Sequence, residues 1–172
     1  METCRRFPDW LRRSLPENSS HRTHAILKKY EVKTVCRAAM CPNIHECYAK
    51  DTATFMILGG VCTRHCGFCA VPTGSGEMLR NDEPERVAFA AKELGLRFVV
   101  VTSVTRDDLA DEGAGHYAAT VRTVKREIPD SQVEVLTPDF HARETLIRQV
   151  IEAGPEVFNH NLETVERLQR VV

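Results

Sequence analysis

The sequence lacks several features that would assign it to a simple class. It has no apolar run approaching the ~20 residues that a bilayer span requires, so we expect no membrane partner. Its 172 residues carry a formal net charge of -1, which gives no electrostatic footprint for nucleic acid. It shows no positively charged, apolar, cleavable leader, and acidic residues interrupt its early arginines. We therefore expect a cytoplasmic protein, with the mitochondrial matrix as the alternative.

A fourth cysteine is missing from each of two cysteine triplets. Six of the seven cysteines fall into a Cys-x4-Cys-x5-Cys group and a Cys-x3-Cys-x2-Cys group, namely Cys36, Cys41 and Cys47, then Cys62, Cys66 and Cys69. Three thiolates on a short loop leave one iron of a four-iron cluster without a protein ligand, and such an iron can hold a substrate or cofactor. A pure electron carrier normally supplies all four ligands. The spacing therefore predicts metal clusters that take part in chemistry.

Two other roles for these cysteines are open at the level of the sequence. Disulfides would need an oxidising compartment, and the odd number of cysteines leaves one thiol unpaired. Structural zinc also uses closely spaced cysteines, and His45 or His65 could serve as a fourth ligand. However, zinc sites favour Cys-x2-Cys units closed by a second pair or by histidines, and neither triplet has that pattern. Cys4 stands apart and is interpreted as an ordinary thiol.

Strand and helix patterns alternate in the second part of the chain. Residues 1–50 show no sustained period and are interpreted as an irregular amino-terminal extension that carries the first triplet. Residues 51–172 contain apolar strands predicted at 55–58, 98–101, 132–136 and 156–159. Helices are predicted between them at about 83–94, 117–128 and 146–151, the first with Asn81 or Asp82 as cap and Gly95 as stop. Such alternation predicts an α/β fold with a parallel sheet covered by helices.

Polar residues follow the predicted strands. They form the second cysteine loop, Thr102-Ser103 with Arg106-Asp107-Asp108, Thr137-Pro138-Asp139, and Asn159-His160-Asn161-Leu162-Glu163. The carboxyl ends of parallel strands meet at one edge, where barrel folds carry their active sites. We therefore expect a pocket on this rim, although each group alone could simply be a solvated turn or a helix cap.

These motifs together resemble a known family. The second triplet, with Phe68 before Cys69, resembles the signature of the radical S-adenosylmethionine (SAM) enzymes, whose fold is a full or partial (β/α) barrel. Within that superfamily the first triplet is similar to that of lipoyl synthases. The same family is indicated by Pro8-Asp9-Trp10-Leu11, Thr34-Val35-Cys36, Cys41-Pro42-Asn43, Thr52-Ala53-Thr54-Phe55-Met56-Ile57-Leu58-Gly59, Val101-Thr102-Ser103-Val104, Glu134-Val135-Leu136-Thr137-Pro138-Asp139-Phe140 and Val157-Phe158-Asn159-His160-Asn161-Leu162-Glu163-Thr164.

The resemblance implies an activity. Lipoyl synthases insert two sulfur atoms at carbons 6 and 8 of an octanoyl chain attached to a lipoyl carrier protein or domain. Those C–H bonds are unactivated, so radical chemistry from a cofactor is needed. The implied cofactors are SAM and two 4Fe-4S clusters. One cluster, on Cys62, Cys66 and Cys69, would hold SAM, and an auxiliary cluster, on the first triplet, would donate sulfur. A small reductant such as ferredoxin or flavodoxin would supply electrons.

The resemblance also implies cofactor contacts. Phe68 would place its backbone near the adenine, and Thr102 and Ser103 would lie at the methionine amine. Asn161 and Glu163 would hold the ribose hydroxyls, because their side-chain oxygens both accept hydrogen bonds. Asn159 would face the cofactor or the substrate. The alternative is that Asn161 and Glu163 only cap or solvate a helix start.

The chain departs from the family by ending early. It stops after about four strand-helix units, so the resemblance implies a barrel truncated at that point and an auxiliary cluster without the serine that completes it in relatives. An open sheet would also expose an unpaired edge. We therefore expect incomplete turnover by this chain alone. The alternatives are a cluster-binding module without catalysis, a zinc-binding interaction protein, and a biotin synthase-like sulfur transferase, which the first triplet disfavours.

Overall fold

A computed structural model describes residues 21–169 of the chain. Cys4, the amino-terminal arginines and the Pro8-Asp9-Trp10-Leu11 motif lie outside the described residues. No described helix is long and apolar enough to cross a membrane.

Five strands form one sheet in the order β1-β2-β3-β4-β5, with bounds β1 Lys33–Thr34, β2 Thr54–Ile57, β3 Phe98–Ser103, β4 Gln132–Leu136 and β5 Val157–Asn159. Strands β2 to β5 are parallel to their neighbours, which confirms the predicted α/β fold and parallel sheet. Strand β1 adds to the edge of β2 in the antiparallel direction and was not predicted. Within residues 21–169 the sheet is open, as expected of a partial barrel, with β1 and β5 as its edges.

Six α-helices accompany the strands: α1 His21–Lys29, α2 Val35–Ala38, α3 Ile44–Ala49, α4 Glu83–Leu94, α5 Ala114–Glu127 and α6 Glu144–Ile151. Short 3-10 turns lie at Phe140–Ala142 and Glu166–Leu168. Helix α4 has the predicted bounds and ends at Gly95, whose φ of 74° is the left-handed conformation that glycine adopts without strain. Asp82 occupies the predicted cap position, but its side chain makes no hydrogen bond to the backbone of the first turn of the helix. Its carboxylate instead accepts from Arg86 Nε at 2.7 Å.

The core lies between the sheet and helices α4, α5 and α6, which pack side by side. The strands contribute fully buried Phe55, Ile57, Val99, Val101, Val133 and Val135. The helices contribute the large ring of Tyr117 and smaller side chains, including Val87, Ala90, Ala91, Val121, Val124 and Val150. Because β2 to β5 run parallel to one another, their carboxyl ends lie at one edge of the sheet.

Residues 21–50 contain α1, β1, α2 and α3, none of which was predicted from the sequence. Helices α2 and α3 have only four and six residues, too few to show a helical period. A buried polar contact ties this segment to the sheet: the Tyr48 and Thr34 hydroxyls are hydrogen-bonded at 2.6 Å. Thr23 Oγ1 also donates to the Tyr48 carbonyl at 2.8 Å. The first cysteine triplet is therefore held on a structured segment that pairs with β2.

Candidate metal centre and cofactor site

The second cysteine triplet lies on the loop that follows β2. The Cys62 amide donates to the Pro72 carbonyl and the Gly74 amide donates to the Cys62 carbonyl, both at 2.8 Å, which closes the base of the loop. Cys62 is half-buried, whereas Cys66 and Cys69 are exposed. The pKa of the Cys66 thiol is raised by burial first and then by the Cys62 and Cys69 thiols. The contributions of Cys62 and Cys69 to this shift indicate that their thiols lie near that of Cys66.

The first cysteine triplet lies on the segment before β2, and its three residues are also brought near one another. Cys36 lies in α2, Cys47 lies in α3, and Cys41 lies between them, with its amide donating to the Cys36 carbonyl at 3.0 Å. The pKa of the Cys47 thiol is raised by burial first and then by the Cys36 and Cys41 thiols. All six of these cysteines are free thiols. Each predicted triplet is thus assembled from residues that the fold brings together.

The spacing of the thiols bears on the zinc alternative. Within residues 21–169, one group of three His, Cys, Asp or Glu side chains brings its ligand atoms within 4.8 Å of one another, and it is Asp107, Glu112 and His141. Tetrahedral zinc with bonds near 2.3 Å would hold its thiolates about 3.8 Å apart. Neither cysteine triplet is gathered that closely.

A cavity of about 410 Å³ lies beside Cys66 on the predicted rim. Its walls come from the cysteine loop and from the segments after β3, β4 and β5. Five of the six predicted cofactor contacts line it: Phe68, Thr102, Ser103, Asn161 and Glu163. The Glu163 carboxylate is close enough to Cys66 to contribute to its raised pKa. The predicted pocket is therefore present, and it adjoins the thiol triplet that has no fourth ligand.

The hydroxyls at the end of β3 are available to a ligand. Thr102 Oγ1 donates to the Leu136 carbonyl at 3.1 Å, which leaves its lone pairs free to accept. Ser103 Oγ is buried and has no hydrogen-bond partner among the described residues. A buried hydroxyl without a partner is costly, so its presence on a cavity wall fits a site that binds a donor such as an ammonium group.

Asn159 is the one predicted cofactor contact that does not line the cavity. Its side-chain amide donates to Glu134 Oε1 at 2.8 Å, across the β4–β5 pair. The backbone carbonyl of Asn159 instead accepts from the Thr137 amide at 3.0 Å, which extends the sheet beyond β4.

A second cavity, of about 640 Å³, lies on the β1 side of the sheet. It is lined by α1, β1 and α2 together with the segment that follows β2. None of the predicted cofactor contacts lines it. Its apolar lining residues include Leu27, Val32 and Met56, and basic side chains such as Lys28 and Arg37 also line it.

Sequence reasoning missed the role of Arg64, which lies inside the cysteine loop. Its guanidinium contacts Asp107 after β3 and Asp139 after β4, with four nitrogen–oxygen distances between 2.8 and 2.9 Å. This pairing lowers the pKa of Asp107, and it holds the pKa of Asp139 at about 2. The sequence did contain a signal for this role, because the loop has one arginine and the predicted rim has acidic residues that could pair with it.

The neighbouring acid, Asp108, has a different partner. Asp108 pairs with the buried Arg106 through two contacts of 2.8 Å, and Arg106 donates to the Leu58 carbonyl at 3.0 Å. The run Arg106-Asp107-Asp108, predicted as one polar group, therefore has two roles. Arg106 and Asp108 pair with each other and hold the end of β2, whereas Asp107 holds the cysteine loop.

Comparison with known proteins agrees with the fold. The family model described as the radical SAM superfamily matches residues 56–172, and the chain belongs to this superfamily. Its similar curated proteins are named lipoyl synthase. The protein of this name from Methanocella arvoryzae is 53% identical over 163 residues, which are 94% of this chain and 55% of the relative. The one from Rhodopirellula baltica is 56% identical over 170 residues, 97% of this chain and 53% of the relative.

A third relative, from Caldanaerobacter subterraneus subsp. tengcongensis, is 54% identical over 163 residues, with 95% of this chain and 57% of the relative covered. The resemblance to lipoyl synthase is thus confirmed across nearly the whole chain. The chain spans about half the length of the curated relatives it matches. Membership of the superfamily implies a 4Fe-4S cluster and SAM as cofactors.

Proposed function

We propose that this chain is the part of a lipoyl synthase that holds SAM and its cluster, and that it carries three ligands of a second, auxiliary 4Fe-4S cluster. The observation that supports this is the cavity that joins Cys66 to Phe68, Thr102, Ser103, Asn161 and Glu163. The proposed reaction is sulfur insertion at carbons 6 and 8 of an octanoyl chain on a lipoyl carrier protein. The chain spans about half the length of the curated relatives it matches.

The residues of the site fit the cofactor by their chemistry. Cys62, Cys66 and Cys69 offer three thiolates and leave one iron for the amine and carboxylate of SAM. When bound, the cluster and SAM supply the one-electron chemistry that removes hydrogen from an unactivated carbon. Metal binding requires deprotonated thiols, so the raised pKa of Cys66 means that a proton must leave when iron binds.

Each cavity wall has its own part in binding. Ser103 Oγ and Thr102 Oγ1 would accept from the methionine amine. The Asn161 carbonyl oxygen and the Glu163 carboxylate would accept from the two ribose hydroxyls, and the Phe68 backbone would contact the adenine. In this arrangement Asn159 supports the rim through Glu134 and does not touch SAM.

The first triplet is proposed to hold the auxiliary cluster. Cys36, Cys41 and Cys47 offer three ligands from a segment that is attached to the sheet through β1 and Tyr48. The proposed partners are an octanoylated lipoyl carrier protein or domain and a small electron donor such as ferredoxin or flavodoxin. The proposed location is the cytoplasm, with the mitochondrial matrix as the alternative.

The test is metal content after anaerobic reconstitution. The intact chain should hold roughly eight irons, and the Cys62→Ala/Cys66→Ala/Cys69→Ala variant about four. The Cys36→Ala/Cys41→Ala/Cys47→Ala variant should also hold about four irons. Of the two variants, only this one should still cleave SAM when reduced. Zinc in place of iron would contradict the proposal. If the intact chain and this variant both bind iron but do not cleave SAM, the chain would instead be a cluster-binding module.

A further inference from the structure

The cysteine loop has little structure of its own to hold its thiols in place. Residues 65–70 are all exposed, and they form neither helix nor strand. The backbone bonds that fix the loop lie at its base, at Cys62 and at Thr63, whose amide donates to the Thr105 carbonyl at 3.1 Å. Farther along, the Cys69 amide donates to the Cys66 carbonyl at 3.1 Å, which is a bond within the loop. Another interaction must fix the loop relative to the sheet.

Arg64 supplies that interaction. Its Nε and one terminal nitrogen contact both oxygens of Asp107, at 2.8 and 2.9 Å. Its terminal nitrogens contact both oxygens of Asp139, at 2.9 and 2.8 Å. One side chain in the loop is therefore bidentate to carboxylates that follow two different strands. The planar guanidinium fixes an orientation as well as a distance, which the point charge of a lysine does not.

The two carboxylates are themselves held in place. The Asp107 amide donates to Thr63 Oγ1 at 3.1 Å, so the loop and the β3 rim contact each other twice. Asp139 Oδ1 accepts from the His141 amide at 3.0 Å. The His141 ring is bonded to the buried Glu112 at 2.8 Å, and Glu112 also accepts from Arg143 at 2.8 Å. The acceptors of Arg64 thus belong to a connected network on the rim.

We propose that Arg64 is a positioning residue that fixes the loop carrying Cys62, Cys66 and Cys69 against the ends of β3 and β4 before any metal binds. This inference rests on the proposed function only for its consequence, which is faster cluster assembly and a defined SAM site. The position of the loop itself can be tested without metal. Asp107 and Asp139 are the carboxylates that anchor Arg64, and Arg64 is proposed to take no part in the reaction itself.

Because the Arg64 ion pairs are partly exposed, we expect their loss to loosen the cysteine loop without unfolding the domain. The side chains of Arg64 and Asp107 are each 29% exposed and that of Asp139 is 45% exposed. Solvent screens such pairs, so their loss should not unfold the domain. The loop amides, in contrast, have few other bonds, and their local opening should respond strongly.

The test compares Arg64→Lys with Arg80→Lys. Arg80 also bridges two carboxylates, Asp82 and Glu31, but its partners lie away from the loop. In the metal-free full chain, hydrogen exchange at the Thr63 and Cys69 amides should become roughly tenfold faster in Arg64→Lys. It should stay at the wild-type rate in Arg80→Lys. Exchange at the core amides of β3 and β4 reports that both variants are folded.

A second readout follows cluster assembly. In the Cys36→Ala/Cys41→Ala/Cys47→Ala background, Arg64→Lys should slow iron incorporation about tenfold at equal iron and sulfide. It should also broaden the electron paramagnetic resonance signal of the reduced cluster. Asp139→Asn, which removes one anchor, should give an intermediate rate in both readouts.

The outcomes separate the two proposals. Unchanged exchange at Thr63 and Cys69 in Arg64→Lys overturns the positioning role, whatever the metal content. Faster exchange supports the positioning role, and unchanged assembly alongside it would overturn only the predicted consequence for cluster formation. If the wild-type chain binds no iron on the second triplet, the proposed function fails, while the exchange comparison still decides the position of the loop.

Discussion

Single side chains decide what the rim cavity can bind. Ser103 has a buried hydroxyl with no partner among the described residues, and Thr102 beside it has its proton committed to the Leu136 carbonyl. Both oxygens can accept from an N–H group of a ligand. The cavity therefore has acceptors that a methionine amine could use.

Replacing Ser103 by alanine should separate binding from stability. The dissociation constant for SAM, measured by isothermal titration on the reconstituted chain, should rise up to about tenfold, because a hydrogen bond to the methionine amine is lost. The free energy of unfolding should fall by less than in Ser131→Ala, since the nearest polar neighbour of the Ser103 hydroxyl is the Tyr117 hydroxyl, which already donates to the Leu136 carbonyl at 2.7 Å. Ser131→Ala is the control.

Ser131 Oγ is also in a buried residue, but it donates to the Ile128 carbonyl at 2.8 Å. Ser131→Ala should therefore cost about 1 kcal/mol of unfolding free energy and leave SAM affinity unchanged. Equal SAM affinity in wild type and Ser103→Ala would remove Ser103 from the site.

Asp139 makes the stability of the chain depend on pH in acid. Arg64 holds the folded-state pKa of Asp139 at about 2, below the value of about 3.9 expected for the unfolded chain. The ionised carboxylate therefore stabilises the fold above pH ~4, and this stabilisation is lost as the pH falls toward 2. Urea unfolding from pH 2 to 5 should show a shallower acid decline in Asp139→Asn.

Asp130→Asn is the matched control, because no contact of the Asp130 carboxylate is found among the described residues. Its acid decline should follow that of the wild type. Should Asp139→Asn show the wild-type pH dependence, the Arg64 pair would not stabilise the fold in solution.

The residue scale also shows what a sequence can predict. The triplets and five cavity residues were predictable because they belong to local motifs that resemble a family. Arg64 was not assigned a role, because its partners are 43 and 75 residues away and only the sheet order makes them neighbours. Asn159 does not line the cavity, because its side chain bonds its cross-strand partner, Glu134, and that direction could not be predicted from the sequence.

At the scale of elements, the regular units of the second part of the chain follow from its pattern. Strands β2 to β5 and helix α4 were predictable because each has an apolar run or a helical period with clear stops. The segment before β2 was not, because β1 has two residues and α2 has four, and their stability comes from tertiary contacts. Tyr48 is the main contact, since it is fully buried between these elements.

Tyr48→Phe should test how far that segment depends on one hydroxyl. The variant leaves the buried Thr34 hydroxyl without its 2.6 Å partner, so the free energy of unfolding should fall by about 1 kcal/mol. Iron on the first triplet should also become easier to remove with a chelator, while iron on the second triplet is retained as in the wild type.

Tyr30→Phe is the control, because Tyr30 donates to Glu93 at 2.7 Å in an exposed contact. Its cost in chemical denaturation should be clearly smaller. Equal costs for the two variants would mean that the Tyr48 contact is not buried in solution.

At the scale of the whole molecule, two cavities lie on opposite sides of β2. The rim cavity is formed by loops after four strands, and the other is formed by α1, β1 and α2. Only the first contains the predicted cofactor contacts. A ligand that binds there should therefore stabilise the β3 to β5 side of the molecule in preference to the α1 side.

Hydrogen exchange with and without SAM measures this preference. On the reconstituted chain, SAM should slow exchange in residues 102–105, 136–139 and 160–169, because these segments line the rim cavity. At a concentration of 100 times the dissociation constant, it should add about 2.7 kcal/mol to the free energy of unfolding. Residues 24–38 should be unaffected, and protection there instead would assign SAM to the other cavity.

Strand β2 has a mechanical consequence for both sets of thiols. The first triplet sits on the segment that pairs with β2 through β1, and the second triplet leaves directly from its carboxyl end. The four residues of β2, which are buried or half-buried, therefore connect the two sets of thiols. A shift of β2 along its axis would move both sets together, whereas a change in one connecting loop would move one set relative to the other.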